Sequence, residues 1–334
     1  MSEFDLIDRY FGANAAAAAA AGAAGVVLGI GDDAALLRVP DGHDLVAAVD
    51  TIVSGRHFLE GADARAIGHR ALAVNLSDLA AMGATPAWAT LALTIPAANA
   101  AWLEGFAAGL LALAARHGVA LVGGDTTCGP LTVSIQLLGF APHGTALRRA
   151  GASAGDLIVV TGSLGDAGAG LRLAQTASAA VPAASARGGV DEPIQRELLR
   201  RFEFPTPRVE FGLAARGLAS AAMDLSDGLV GDLPKLAGAS GLRAHVDVEH
   251  LPLSAALRAF ASADQARDWA LAAGDDYELL LAVAPERLAA LTEAAERCGL
   301  ALTRIGRLGA GMGVDWRLDG REFLPNVLGY DHFR

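Results

Sequence analysis

Six segments of this chain set aspartate beside glycine or against an apolar run, and that pattern limits what it can fold into. Gly29-Ile-Gly-Asp32-Asp33-Ala34 places two acids in a glycine turn. Ala48-Val49-Asp50-Thr51 reads as an apolar strand ending on an acid. Asp78 lies in a helical stretch that is otherwise apolar (Leu76, Leu79, Ala80, Ala81, Met82). Gly123-Gly124-Asp125-Thr126 again reads as a strand that ends on glycine and aspartate. Asp224 and Asp227 flank a strand-to-helix turn, and Gly274-Asp275-Asp276-Tyr277-Glu278 repeats the first theme. Carboxylates taken out of water are costly unless compensated, and arginine is not placed beside these in sequence. Hard divalent cations are the natural compensation. Magnesium prefers oxygen ligands, keeps waters, and bridges carboxylates to substrate phosphates. Phosphoryl transfer runs largely on such ions and on positioning.

The basic residues narrow the choice. Lys235 is the only lysine, so 25 of the 26 basic residues are arginine. A P-loop needs a lysine before its Ser/Thr, and a protein kinase needs one on its third strand. Lys235 sits in Asp-Leu-Pro-Lys-Leu and fits neither. A net charge of −11 without a basic stripe argues against nucleic acid as a partner. Cys128 and Cys298 have neither zinc nor disulfide spacing and read as inert, reduced thiols. The start, Ser2-Glu3-Phe4-Asp5, has no basic n-region of a signal peptide. Leu79 to Leu103 carries no charge over a bilayer-spanning length, but Gly83, Pro86, Pro96 and Asn99 interrupt it. A soluble, cytoplasmic protein is expected, with no membrane contact.

Along the chain, residues 3–11 suggest a short helix, and Ala15–Ala24 a low-complexity connector. Strands are expected at Ala34–Val39, Leu45–Val49, Trp88–Ile95, Val119–Val122 and Leu131–Phe140, with helices at 63–82 and Trp102–His117. The Gly-, Pro- and Arg-rich stretch 141–155 marks a boundary, giving domains 1–148 and 149–334. In the second domain, strands are expected at Leu157–Thr161, Ala221–Asp224, Arg243–Val248, Glu278–Val283, Leu302–Ile305 and Gly313–Leu318. Helices are expected at Leu164–Ser178, 193–202, 206–218, 227–239, 253–260 and 285–298, with a loop over 179–192. The mixture reads as α/β of the α+β kind rather than strict βαβ alternation.

Taken singly, each motif has an ordinary structural explanation. Gly-Asp-Asp makes turns, Asp224 and Asp227 suit a helix cap, His57 suits a polar surface, and Arg149 belongs to a basic pair in a linker. The functional reading rests on their combination.

Together the motifs resemble the thiamine-monophosphate kinase family. They are Gly29–Ala34, His57-Phe58, Ala73-Val-Asn-Leu-Ser-Asp-Leu-Ala-Ala-Met-Gly-Ala84, Gly123–Thr126, Asp224-Leu-Ser-Asp-Gly-Leu229, Gly274-Asp-Asp-Tyr-Glu-Leu279 and Gly329-Tyr-Asp-His-Phe333. They run in family order from residue 4 to residue 333. The resemblance implies the two-domain aminoimidazole-ribonucleotide synthetase-like fold, whose N-terminal domain forms a shared β-barrel across a homodimer. It implies ATP as co-substrate, several Mg2+ ions, and in-line transfer to thiamine phosphate without a phosphoenzyme. By motif position Asp33, Asp50, Asp78, Asp125 and Asp224 would hold metal, and Asp227 a further ion. Gly124, Asp125, Arg149 and Ser226 would contact ATP. His57, Asp275 and Tyr330 would contact thiamine phosphate, an acid suiting its cationic ring and a tyrosine stacking on it. No residue is assigned as a general base, because the phosphate nucleophile is already ionised at neutral pH.

Two positions depart from the family pattern. Ser/Thr hydroxyls usually precede the strand aspartate; here Ala48 and Val49 leave only backbone carbonyls as metal ligands. Asp275 replaces the common glutamate. The alternatives are another superfamily enzyme (selenophosphate synthetase, the hydrogenase-maturation dehydratase, aminoimidazole-ribonucleotide synthetase) or a degenerate member that only binds nucleotide. The first lacks its reactive N-terminal cysteine here, and the second its terminal cysteine.

Overall fold

The computed structural model describes residues 6–12, 25–178, 191–326 and 329. The Ala15–Ala24 run, nearly all of the 179–192 loop, and Tyr330 with the tail after it lie outside the described residues. The chain divides into two compact units, residues 1–79 with 84–146, and residues 80–83 with 147–334.

In the first unit, Val26–Leu28 (β1) and Leu36–Leu37 (β2) form a small antiparallel ribbon. His43–Val53 (β3), Thr85–Ile95 (β4), Ala120–Cys128 (β5) and Thr132–Pro142 (β6) form an open four-stranded sheet in the order β3-β6-β4-β5. β4 and β5 are parallel, so a crossover must join them, and Ala100–Arg116 (α2) supplies it. The side chain of Asn99 caps α2 by accepting from Trp102 N. Leu103, Phe106, Leu110 and Leu113, at three- and four-residue spacing, turn inward. Ala64–Ala81 (α1) is buried almost all round, and from Ala71 onward Asp78 alone reaches partial exposure. A helix without a polar face belongs inside the fold.

The second unit is built on Leu157–Thr161 (β7), Ala221–Leu225 (β8), Leu242–Asp247 (β9), Glu278–Val283 (β10), Leu302–Ala310 (β11), Gly313–Leu318 (β12) and Arg321–Glu322 (β13). The sheet order is β13-β12-β9-β11-β7-β10-β8, antiparallel except between β9 and β12. β10 is buried along its whole length, which its unbroken apolar run Leu279–Val283 permits. The helices are Asp166–Ser178 (α3), Glu192–Glu203 (α4), Val209–Ala215 (α5), Leu229–Ala239 (α6), Ala255–Phe260 (α7), Ala263–Ala272 (α8) and Leu288–Arg297 (α9). Ile158, Val160, Met223, Leu225, Leu233, Leu236 and Leu280 pack in its principal core.

The mixed α/β, two-domain reading matches this architecture. Three elements were not anticipated: β1, β13, and α8, whose polar Ala-Asp-Gln-Ala-Arg-Asp start hides its period and which Ser262 caps by accepting from Gln265 N. β3 and β5 also continue past their acids. Asp50 and Asp125 are therefore interior strand residues, not strand ends. Pairing carries β3 onward through Thr51 opposite Ser134, whose hydroxyls meet at 2.7 Å, and through Ile52 and Val53.

Candidate active site

The first unit contains a cavity of about 850 Å3. Asp32 and Asp33 line it from the glycine turn, and Gly123, Gly124, Asp125 and Thr126 line it from β5. Apolar side chains, among them Phe11, Ile30 and Leu91, form the rest of its wall. That volume suits a nucleotide-sized ligand. The β4–β5 register explains why β5 presents its backbone here. Ala89 pairs with Leu121 but Thr90 with Gly123, so Val122 is an extra residue in the ladder. Such bulges re-aim the residues that follow. Gly124 then adopts φ +151°, and a Cβ there would meet Leu91 O at 1.9 Å. Only glycine fits, and it leaves bare backbone beside the exposed Asp125.

Asp50 and Asp78, separate in sequence, meet through a side-chain hydrogen bond. Burial raises the Asp50 pKa and the Asp78 bond only partly offsets it. Two carboxyls in contact must share a proton or a cation. Strand alternation places Ala48 and Asp50 on one face of β3 and Val49, 65% exposed, on the other. β3 is also a sheet edge, so alternate carbonyls point away from β6. His57 follows in the turn after β3. Its Nδ1 accepts from Val53 N at 3.0 Å, so the ring proton of the neutral form sits on Nε2.

In the second unit, the Asp224–Gly228 and Gly274–Tyr277 segments close the same end of the β8–β10 pair. Asp224 lies opposite Leu279, Asp275 N donates to Ser226 O at 2.9 Å, and Tyr277 N donates to Leu225 O at 3.0 Å. Asp275 and Tyr277 both adopt left-handed backbone, φ 61° and 49°. Strain of this kind at non-glycine residues gathers at functional sites. The Tyr277 hydroxyl donates to Asp275 Oδ1 at 3.2 Å. The expected helix cap by Asp224 or Asp227 is not observed. Gly228 is the N-cap of α6 and no side chain caps it. Asp232 takes that role in part, its Oδ2 accepting from Ser226 N (3.1 Å) and Asp227 N (3.0 Å). Lys235 Nζ lies 2.7 Å from Asp227 Oδ2 and 3.0 Å from Asp232 Oδ1. Gly329, which precedes Tyr330, packs on the same turn; a Cβ on it would meet Gly231 Cα at 2.9 Å and Asp227 O at 3.0 Å.

The Gly-Asp-Asp-Tyr-Glu motif splits at its left-handed turn, before β10 begins at Glu278. Asp275 is partly exposed, whereas Asp276 and Glu278 are buried. Asp276 accepts from Gly165 N and Ala167 N at the start of α3 (2.7 and 3.2 Å). Burial pushes its pKa up to about 7, against the lowering charge of Arg201. Glu278 accepts from Arg201 (2.9 Å), Arg208 Nε (2.7 Å) and the Thr161 hydroxyl (2.7 Å). Burial acts to raise its pKa, but the two guanidiniums outweigh burial and hold it below the usual range. Asp166 joins the network, accepting from Ser163 and Ser254 hydroxyls at 2.6 Å each. The sequence argument that arginine does not compensate these acids is thus corrected for Asp276 and Glu278. Arg201 and Arg208 arrive from α4 and the segment after it.

Asp33, Gly124 and Asp125 therefore share one cavity, Asp50 joins Asp78, and Asp224, Ser226, Asp227 and Asp275 share one end of the second sheet. Arg149 is exposed beside Arg148, whose carbonyl receives Ala222 N at the start of β8. Tyr330 lies outside the described residues. Sequence reasoning missed Asp232, Lys235 and the Arg201–Arg208 network; the i, i+3 spacing of Asp232 and Lys235 on a helix was the available signal. Among the described residues, no three or more His, Cys, Asp or Glu gather as a ready-made metal site. The acids come as oxygen-only pairs, which suits a hard cation that completes its shell with water and phosphate.

Residues 31–141 match the family model "AIR synthase related protein, N-terminal domain" and residues 153–318 the corresponding C-terminal domain. The thiamine-monophosphate kinase of Salmonella typhimurium is 44% identical over 99% of this chain and 98% of its own length. A crystal structure of thiamine-monophosphate kinase from Stenotrophomonas maltophilia superposes with a TM-score of 0.85, at 47% identity over 97% of this chain and 98% of the other. The AaThiL complex with AMPPCP and TMP superposes with a TM-score of 0.76, at 31% identity over 89% of each chain. With both halves matched and close relatives aligned end to end, the chain belongs to the AIR synthase related family and, within it, to the thiamine-monophosphate kinases.

Proposed function

We propose that the protein transfers the γ-phosphoryl group of ATP to the phosphate of thiamine monophosphate, giving ADP and thiamine diphosphate. The observation that carries this reading is the end-to-end alignment with thiamine-monophosphate kinases, including one solved with AMPPCP and TMP. The cavity lined by Asp33, Gly124 and Asp125 supports it.

An ionised oxygen of thiamine monophosphate attacks the γ-phosphorus, and the bond from that phosphorus to the β,γ-bridging oxygen breaks. No proton has to leave the nucleophile, so no general base is required. The Gly124 backbone, Asp125, Arg149 and Ser226 orient ATP. His57 contacts the acceptor molecule. Asp275 faces the cationic ring, and Tyr330 stacks on it. Asp33, Asp50, Asp78, Asp125, Asp224, Asp227 and the one carbonyl of Ala48 and Val49 that points away from β6 would hold Mg2+. When bound, these ions supply charge neutralisation between the two phosphates. Residues 1–148 act as the nucleotide and metal domain and 149–334 as its companion domain.

The active form is a homodimer, whose partner completes a barrel on the open four-stranded sheet. Leu45 (53% exposed) and Val49 on edge strand β3 support this, because such an apolar edge calls for a partner. Purified protein with ATP, Mg2+ and thiamine monophosphate is expected to form thiamine diphosphate and ADP in equal amounts. ATP hydrolysis without thiamine diphosphate would refute the reading.

A further inference from the structure

The lone lysine of this chain lies against two aspartates. Its ammonium contacts Asp227 Oδ2 at 2.7 Å and Asp232 Oδ1 at 3.0 Å. The two acids are not equivalent. Asp232 is fully buried and its second oxygen is committed to the Ser226 and Asp227 N–H groups. It cannot turn toward a ligand without unmaking the turn. The Asp227 side chain is 32% exposed and that of Lys235 is 44% exposed. Asp232 is therefore the anchor and Asp227 the exchangeable contact. A lysine side chain has a flexible four-carbon stem, so the ammonium can leave Asp227 while staying on Asp232.

We propose that Lys235 is a tethered counter-ion that occupies Asp227 until a divalent cation displaces it, and so sets the affinity of Asp227 for metal. The inference rests on the reading of Asp227 as a metal ligand. Without nucleotide, a dication at Asp227 must dislodge the ammonium and then sit beside it. With nucleotide present, phosphate charge stabilises both cations together. Metal occupancy at Asp227 thereby becomes dependent on nucleotide, and Lys235 is a positioning residue.

The test is Mn2+ titration of the full-length, nucleotide-free protein, followed by electron paramagnetic resonance. Lys235→Met is expected to bind Mn2+ at least about tenfold more tightly than wild type, which corresponds to about 1.4 kcal/mol. Lys235→Arg is expected to stay near wild type. Unchanged or weaker binding in Lys235→Met overturns the inference. Asp227→Asn, titrated with Mn2+ in the presence of AMPPCP, separates the two levels. If it weakens Mn2+ binding while Lys235→Met leaves it unaltered, the counter-ion role alone fails; if it leaves binding unaltered, the metal reading of Asp227 fails. A second readout needs no variant. Reductive methylation with 13C-formaldehyde labels one lysine, and its NMR signal should move when Mg2+ and AMPPCP are added together. A signal that stays in place overturns the displacement.

Discussion

Stability should depend on pH through Asp276, and the structure sets the sign. The buried network holds three carboxylates (Asp166, Asp276, Glu278) against two guanidiniums (Arg201, Arg208), so one proton would make it neutral. Glu278 receives both arginines, and Asp166 receives two hydroxyls besides Arg201. Asp276 has two backbone N–H groups and is the acid left to take the proton. Burial raises its pKa from 3.8 to about 7. A folded-state pKa above the unfolded one means that the folded protein keeps a proton the unfolded chain releases. The stabilisation is complete below the unfolded value and is lost as pH rises through about 7. Between those limits the slope is about 1.4 kcal/mol per pH unit, so wild type should lose about 2–3 kcal/mol from pH 5 to pH 8 through this group. Asp276→Asn keeps an acceptor for Gly165 N and cannot ionise. Urea unfolding of both proteins at pH 5, 6, 7 and 8 isolates the effect, since other titrations cancel in the difference. The Asp276→Asn variant should gain on wild type by that amount across the series. A constant difference would mean that Asp276 stays ionised and that Arg201, not burial, governs it.

Three further outcomes follow from the geometry. Gly124→Ala should destabilise the protein by about 2–6 kcal/mol, combining backbone strain with the clash at Leu91 O, and should abolish AMPPCP binding in calorimetry. Asp275→Asn keeps a residue type that tolerates left-handed backbone; it should raise KM for thiamine monophosphate roughly 10- to 100-fold, as loss of a charged contact implies, with KM for ATP unchanged in steady-state kinetics. Ala48→Ser restores a hydroxyl on the Asp50 face of β3 and should lower the Mg2+ concentration for half-maximal turnover, whereas Val49→Ser, on the opposite face, should leave it unchanged.

What the sequence made legible was local. The helix expected at 63–82 is α1, and the bounds of β7, β10 and β12 are the expected ones, because period and turn residues act within a few positions. Pairing decided what was not legible. The extents of β3 and β5 depend on partners in β6 and β4, and the Val122 bulge that aims Gly124 has no signature in Leu-Val-Gly-Gly. The same holds for charge. Absence of a neighbouring arginine is a fair guide for Asp50, which meets Asp78. It misleads for Glu278, whose guanidiniums come from residues 70 and 77 positions away. Lys235 fits no nucleotide-binding motif, and its contacts with Asp227 and Asp232 depend on a turn that only the folded chain closes.

Phosphoryl transfer supported by paired aspartates, rather than by lysine, should fail when one pair is broken. Asp78→Ala tests it most directly, because Asp78 is the partly exposed acid on an otherwise buried stretch of α1 and the partner of Asp50. Thiamine diphosphate formation from ATP and thiamine monophosphate should fall below detection in a variant whose thermal melt matches wild type. Wild-type turnover by that folded variant would show that the Asp50–Asp78 pair does not support the transfer.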